Sequence, residues 1–389
     1  METADAVVIG AGINGASTAY HLVKRGLNKV VLIEKHLLAA GGTGRSAAIV
    51  RQHYSNEELV RLARRSVDIF TNFADAVGGD CGFVACGWAF LVPETASKGF
   101  SANMAMLQQL GVKTWEISKT ELLGFESRLK LDDVCRIAYE PGSGYADPHQ
   151  TTYAYVQRFR QMGGRLQDLT SLEAVVLEKS KVVGVQTSRG PIATRVVVNA
   201  AGPWADRIAH LAGVSIPIKV TREEEIVLEA RDAGGPPRLV FSDMAQAIYY
   251  RPDGATRTLV GRGFPKEYET VDPNRFKESA DEAFIEETLS RLRRRLPAFQ
   301  AALAVTAYAG LYDVTPDWHP ILGKTDGVEG FYQCNGFSGH GFKLGPAIGE
   351  AMAEEILEGR CRMIDLEKFS LSRFDRGNLF RATYGGNRA

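Results

Sequence analysis

Ala6-Val7-Val8-Ile9-Gly10-Ala11-Gly12-Ile13-Asn14-Gly15-Ala16-Ser17-Thr18-Ala19-Tyr20, answered further on by Val30-Val31-Leu32-Ile33-Glu34, is the stretch from which the fold is read. Ala6–Ile9 is a short apolar run, the pattern of a strand buried on both faces of a parallel sheet. Gly10–Gly15 breaks that run. Ala16–Arg25 follows with Ala16, Ala19, Tyr20 and Val23 at helical spacing, and Gly26 closes the helix. Val30–Ile33 is a second buried strand ending at Glu34. A strand, a helix and a strand within about thirty residues form a βαβ unit, the context that gives a glycine pattern its meaning.

Within that unit, Gly10-x-Gly12-x-x-Gly15 has the spacing of a dinucleotide site. The first glycine permits the tight turn and the second lets backbone approach a pyrophosphate. The third allows close helix–strand packing, while the helix N-terminus turns amide donors and its positive dipole end toward phosphates. Ile13 and Asn14 lie in the same turn and are counted with the glycines as cofactor contacts. Glu34 stands nineteen positions after Gly15. There a carboxylate can accept hydrogen bonds from both ribose hydroxyls of an adenosine and would repel a 2′-phosphate. Lys35 follows it directly.

The composition is that of an ordinary globular chain. Of 389 residues, 45% are hydrophobic and 24% charged, enough for two domains with sizeable cores. Lysine plus arginine number 46 and aspartate plus glutamate 46, so the neutral chain lacks the basic footprint of a nucleic-acid binder. The run Arg293-Arg294-Arg295 follows Ile285, Leu289 and Leu292 in a helical pattern and reads as a solvated face. Five cysteines without CxxC spacing argue against a zinc site or a disulfide framework; Cys81 and Cys86 read as buried free thiols. No metal site is expected. The start, Met1-Glu2-Thr3-Ala4-Asp5, has no signal-peptide pattern, and no apolar run approaches the ~18 residues of a membrane span. The expectation is a cytoplasmic protein with no membrane span.

Further along, Gly41-Gly42-Thr43-Gly44-Arg45-Ser46 forms a glycine-rich loop, and Glu57–Phe73 reads as an amphipathic helix. From about 84 to 145 the pattern changes to short strands and turns, with a helix around Met104–Leu110. Tyr153–Met162 is helical again. Ala174–Leu177 and Val182–Thr187 read as a β-meander turning at Ser180-Lys181, and Arg195–Gly202 as another buried strand ending in small residues. Strands at Ile226–Glu229 and Ala247–Tyr250 and a helix around 281–296 follow. The chain then returns to strand, glycine loop and helix: Phe331–Cys334, Gly336–Gly341, Ala347–Leu357, with Pro346 in the first helical turn. No repeat or linker separates these parts, so two domains interleave.

NAD and FAD share the glycine fingerprint; two later segments discriminate. Val196–Gly202 with Pro203-Trp204 suits a chain passing close to a long dinucleotide. Gly336-Phe337-Ser338-Gly339-His340-Gly341-Phe342-Lys343 precedes a helix whose N-terminus would stabilise negative charge developing on an isoalloxazine. With Gly10–Gly15, Glu34-Lys35, Gly42–Ser46, Ile49-Val50-Arg51 and Tyr312-Asp313-Val314-Thr315-Pro316-Asp317, these segments resemble the D-amino-acid-oxidase-like FAD oxidoreductases over essentially the whole chain. Within that superfamily the likeness is to sarcosine oxidases, monomeric and heterotetrameric β-subunit, and to glycine oxidase.

The resemblance implies an α/β (α+β) architecture: a glutathione-reductase-type Rossmann FAD domain over 1–83, 146–215 and 309–389, interleaved with a mainly antiparallel substrate sheet over 84–145 and 216–308. It implies oxidation of an amine C–N bond by hydride transfer to flavin N5, the imine then hydrolysing. Cofactor contacts extend to Gly42, Thr43, Arg45, Ser46, Ala47, Ala201, Gly202, Trp204, Gly310, Gly336, Gly339, His340, Gly341, Phe342 and Lys343. Arg51 and Lys343 match positions that hold the substrate carboxylate, an arrangement suited to a guanidinium fork and a point charge. Tyr250 matches a tyrosine lining the substrate cavity. No general base stands out; His53 and His319 are candidates, and the Asp313/Asp317 pair reads as turn caps. The cysteine that tethers FAD in monomeric sarcosine oxidases has no counterpart near Gly310, so FAD is expected to be non-covalent. The oxygen-activating lysine of those oxidases is matched by Leu259, with Arg262 as a nearby cation. The expected substrate is a secondary amino acid such as N-methylglycine or a larger N-carboxymethyl amine. The alternatives are a primary amine (glycine or a D-amino acid), or an FAD subunit of a multi-protein amine dehydrogenase. The electron acceptor is O2 or an electron-transfer partner.

Overall fold

The computed structural model describes residues 2–229, 231–264 and 267–381. Its organising element is a six-stranded sheet in the order Ile321–Lys324, Phe331–Asn335, Val197–Asn199, Ala6–Ile9, Val30–Ile33, Arg165–Gln167. All neighbours are parallel except the first pair. Every residue of Ala6–Ile9 and Val30–Ile33 is buried, as parallel strands covered on both faces require. Both strands have the bounds read from the sequence.

One face of this sheet carries the helices Ile13–Lys24, Glu57–Thr71, Pro148–Gln161 and Gly341–Glu358, which share the largest apolar core. The helix Pro148–Gln161 starts at a proline behind Asp147, whose Oδ1 accepts from His149 N at 2.8 Å and Gln150 N at 2.9 Å. The opposite face packs against a four-stranded sheet that contains the meander Leu172–Glu178 and Lys181–Thr187. That meander turns at Lys179-Ser180, one residue before the expected position.

The last helix begins at Gly341, not Ala347, so Pro346 lies in its interior and not in its first turn. A proline there removes one amide donor and disturbs the carbonyl four residues back. Ser66, from the helix Glu57–Thr71, braces the turn around it: its Oγ donates to Leu344 O at 3.1 Å and accepts from Ala347 N at 3.1 Å. The same helix crosses Ile13–Lys24 closely through Gly349, where an added Cβ would stand 2.1 Å from Ser17 Oγ.

Nine strands form a second, mainly antiparallel sheet, drawn from Trp88–Val92 through Ala304–Val314. Its centre is Lys219–Glu229, paired on one side with Arg257–Arg262 and along most of its length with Ala304–Val314. Ala304–Val314 is one continuous strand across residues 308/309, and its far end reaches the parallel-sheet side. The helix Glu282–Arg295 covers the outer face of this sheet and buries Phe284, Leu289 and Leu292. The architecture is therefore α/β with a large antiparallel component, as the sequence indicates.

Two charged segments differ from their sequence reading. Arg295 is not on a solvated face: three residues after Leu292, it turns inward, is buried, and pairs with Asp243 at 2.6 Å and Asp133 at 2.8 Å. Asp317 does more than cap a turn. Its carboxylate takes the guanidinium of Arg373 in a fork at 2.8 and 2.9 Å, and both residues are 1% exposed. Leaving one partner of such a buried pair alone costs about 3–5 kcal/mol. Arg373→Ala is expected to lower the unfolding free energy by about that amount, read as a lower urea midpoint at unchanged slope; an unchanged midpoint would show that the pair is not a structural tie.

Candidate active site

A cavity of about 420 Å³ opens at the carboxyl ends of the parallel strands, where open α/β sheets bind their ligands. It is lined by Gly10, Gly12, Ile13 and Asn14, by Glu34 and Lys35, and by Gly42, Thr43, Arg45 and Ser46. Ala201, Gly202 and Trp204 close a second side, and Gly310, Gly339, Gly341 and Phe342 a third. Three segments far apart in sequence thus meet on one concave surface.

The glycine turn is held by backbone contact. Gly10 has φ +103°, a conformation for which glycine is suited, and a Cβ on Gly15 would stand 1.8 Å from Gly10 O. The N-termini of the helices Ile13–Lys24 and Gly341–Glu358 both face the cavity. Asn14 Oδ1 is buried there without a hydrogen-bond partner among the described residues. The Glu34 carboxylate is oriented by Ala11 N and His36 N, each at 2.8 Å, which leaves acceptor capacity toward the cavity. Lys35 Nζ lies 3.7 Å from the Trp204 ring centroid, and burial lowers its pKa to about 8. A donor-lined glycine turn, an oriented carboxylate and an unpartnered buried amide oxygen fit an adenine dinucleotide.

A smaller cavity of about 220 Å³ shares Ser46, Tyr312, Gly339 and Phe342 with the first and so adjoins it. One wall presents Ala47, Arg51, His340 and Lys343. Arg51 donates to His53 O, and its guanidinium lies 4.6 Å from the Tyr54 ring centroid and 5.7 Å from that of Trp88. Behind it, Glu140 is fully buried and accepts from Gln52 N at 2.9 Å and Ser143 Oγ at 2.7 Å, fixing the backbone beside Arg51. Lys343 is 9% exposed and makes no hydrogen bond or ion pair with a described residue. Burial, then the neighbouring Arg51, holds its pKa well below the ordinary 10.5. Burial likewise holds His340 far below the ordinary histidine value, so its ring is neutral at physiological pH.

Three expected site residues line neither cavity. Gly15 lies beneath the turn against Gly10, and Gly336 donates to Asp313 Oδ2 at 2.7 Å. Tyr250 is a correction. It points into the apolar core, stacks on Phe241 at 4.8 Å, and leaves its hydroxyl without a partner among the described residues. Successive strand residues face opposite sides, so the cavity position falls to Tyr249. Nor do the candidate bases stand free: His319 Nδ1 is bound to Asp317 O at 2.6 Å, and His53 packs between Trp88 and Phe90.

Other lining residues were missed. Glu223 and Glu225 both face the larger cavity from Lys219–Glu229. Glu225 accepts from Tyr249 at 2.8 Å and Tyr308 at 2.6 Å, and burial raises the pKa of both phenols. The signal was an acidic pair two residues apart in a strand, which a charge run masks as solvated surface.

A Rossmann βαβ unit whose cavity adjoins a cationic pocket roofed by an antiparallel sheet defines a dinucleotide-dependent oxidoreductase. The chain belongs to the DAO family of FAD dependent oxidoreductases, which matches residues 5–355. It is 26% identical to 4-methylaminobutanoate oxidase (formaldehyde-forming) of Paenarthrobacter nicotinovorans, over 98% of this chain and 47% of that protein. It is also 26% identical to sarcosine oxidase subunit beta of Rhodobacter capsulatus, over 96% of this chain and 89% of that one. Among solved structures, L-proline dehydrogenase from P. horikoshii superposes with a TM-score of 0.89 at 29% identity, over 97% of this chain and all of that one. FAD is the cofactor of this family, and among the described residues no helix is long and apolar enough to cross a membrane.

The state of Lys343 generates a prediction. A lysine whose pKa is lowered by folding binds fewer protons folded than unfolded, so stability rises with pH between the lowered value and about 10.5. Replacing it by methionine relieves a buried, unpartnered polar group worth about 1–3 kcal/mol. Lys343→Met is therefore expected to stabilise the protein at neutral pH, and the gain to shrink as the pH approaches the ordinary lysine value. Urea midpoints across that range check it; a destabilised variant at every pH would show that the ammonium is compensated.

Proposed function

We propose that this chain oxidises the C–N bond of a secondary amino acid, such as N-methylglycine or a larger N-carboxymethyl amine, with FAD held non-covalently. The observation that carries the reading is the pair of cations, Arg51 and Lys343, on one wall of a pocket adjoining the dinucleotide cavity. The names of all three relatives cited above specify secondary amines, which supports a secondary over a primary amine. Among the described residues, none of the lining side chains of either cavity is a cysteine.

In this reading the substrate carboxylate takes the guanidinium of Arg51 and favours the charged form of Lys343, which burial disfavours. FAD, when bound, accepts the hydride from the carbon beside nitrogen. Phe90, Tyr249 and Phe342 keep the pocket largely apolar and exclude water around the reacting carbon. The parts at 1–83, 146–215 and 309–389 would bind the cofactor, and those at 84–145 and 216–308 would roof the substrate. A neutral substrate amine reacts as the free base, so neutral His340 need take no proton. Five free cysteines suit a reducing compartment such as the cytoplasm.

Leu259 favours a second reading of the acceptor. It is buried against Ala47 and Val227, an apolar surrounding where the resembled oxidases carry a lysine. That environment supports delivery of electrons to a partner protein instead of O2. The test is anaerobic mixing of the yellow protein with secondary and primary amino acids, followed by air. Bleaching by secondary amines is expected; rapid reoxidation identifies an oxidase and slow reoxidation a dehydrogenase. No bleaching by any amine would overturn the proposal. Arg51→Ala is expected to raise KM for carboxylated amines by roughly 10- to 100-fold, the scale of a lost charged hydrogen bond. An unchanged KM would remove Arg51 from the clamp.

A further inference from the structure

An amine that reacts as the free base must first lose a proton. An aliphatic amine titrates near the lysine value of about 10.4, so at neutral pH nearly all of it arrives as an ammonium. Where the two cavities meet, the structure holds a proton acceptor. Tyr312 lines both cavities, Tyr249 the smaller and Glu225 the larger. Glu225 lies on the central strand Lys219–Glu229, opposite Gly261 on one side and Tyr308 on the other. Gly261, where a Cβ would stand 2.2 Å from the Tyr249 hydroxyl, lets that ring lie across the strand. The Tyr249 hydroxyl then donates to Glu225 Oε1 at 2.8 Å, and the Tyr308 hydroxyl donates to Oε2 at 2.6 Å. Each oxygen accepts one phenolic proton, the pattern of an ionised carboxylate. Glu225 is 5% exposed, whereas Tyr308 lines neither cavity and is partly exposed. A hydrogen-bonded chain therefore runs from the smaller cavity, through a buried carboxylate, to a phenol outside both cavities.

From this chain we infer that Glu225, working through Tyr249, takes the proton that the substrate ammonium must lose, and that Tyr308 is its way out. The inference rests on the amine-oxidising reading and supplies the proton acceptor that reading lacks. The ammonium gives a proton to Tyr249 Oη while Tyr249 passes its own to Glu225 Oε1. The result is a neutral amine and a neutral carboxyl group, with the phenol unchanged. The proton later returns to water on the side of Tyr308. Burial, then the charge of Glu225, raises the pKa of both phenols, so they carry protons without standing as phenolates. The other titratable or charged groups facing the chain are Glu223 and Tyr312 at its cavity end, and Arg251 and Asp253 near Tyr308. Glu223 accepts from Thr221 Oγ1 at 2.8 Å.

The test follows the rate of anaerobic bleaching of the FAD-loaded protein by N-methylglycine as the pH is raised from neutral toward the ordinary amine value. Glu225→Gln keeps the shape of the side chain and removes the proton acceptor. It is expected to slow bleaching roughly 100-fold near neutral pH, the lower end of what a general base contributes. The rate should recover as the pH rises and bulk water supplies the free amine. Tyr249→Phe should show the same displaced profile, and Glu225→Asp should regain part of the neutral rate, with thermal melting confirming that each variant folds. (Methylthio)acetate has sulfur in place of the amine and no proton to lose, so calorimetry should find it bound equally by Glu225→Gln and the native protein. An unchanged profile, a loss equal at every pH, or weakened (methylthio)acetate binding would overturn the relay, while bleaching of the native protein still supports amine oxidation. No bleaching of the native protein by any amine at any pH would overturn both.

Discussion

The structure depends on a close approach that only a side chain without Cβ permits. Gly10 O lies where a Cβ of Gly15 would be, and Gly349 meets Ser17 across the neighbouring helix. These contacts press the helix Ile13–Lys24 between the strand it follows and the helix Gly341–Glu358. The first and last parts of the chain are thereby joined, and two helix N-termini are aimed into one cavity. Phosphates and a reducible ring both accumulate negative charge, so helix N-termini of this kind would suit either end of a bound dinucleotide. Ser66 belongs to this arrangement, because without its two hydrogen bonds the helix would be weakened at Pro346, close to its functional end.

A second constraint is electrostatic. The parallel-sheet side supplies Arg51 and Lys343 to the smaller cavity, while the opposing sheet supplies tyrosines and keeps its acids occupied. Glu225 accepts two phenolic hydroxyls, and Asp243 is tied to Arg295. Had either carboxylate faced the pocket free, it would have offset the positive charge of Arg51 there. The Lys343 amine, without a partner among the described residues, is a local destabilisation of the kind found at functional sites. Its depressed pKa follows from burial first, and an arriving carboxylate would oppose it.

How much of this was legible depended on whether the signal was local. Ala6–Ile9, Val30–Ile33 and the glycine spacing are set by short-range sterics and uninterrupted apolar runs, and they appear in the structure with the bounds read. The glycine turns that line the larger cavity were legible for the same reason: backbone turns write themselves as glycines. Where the determinant was tertiary, the sequence was silent. Pro346 looks like a helix start, whereas in the structure a serine 280 residues earlier braces the helix turn on either side of it. Arg295 looks like part of an exposed basic run until Asp243, on a strand beneath its helix, draws it inward. Glu225 looks solvated because its partners, Tyr249 and Tyr308, come from two different strands.

The exchange of Tyr250 for Tyr249 shows how sharp the boundary is. Both tyrosines lie on one strand, and a shift of one residue moves a side chain from the cavity to the core. Tyr249 is opposite Gly261 on the neighbouring strand, and a Cβ there would come within 2.2 Å of its ring and hydroxyl. Gly261 therefore makes the room that turns Tyr249 toward Glu225, while Tyr250 takes the stacked place on Phe241. Resemblance aligns two adjacent tyrosines equally well. The choice between them rests on a glycine across the sheet, whose meaning appears only once the strand register is known.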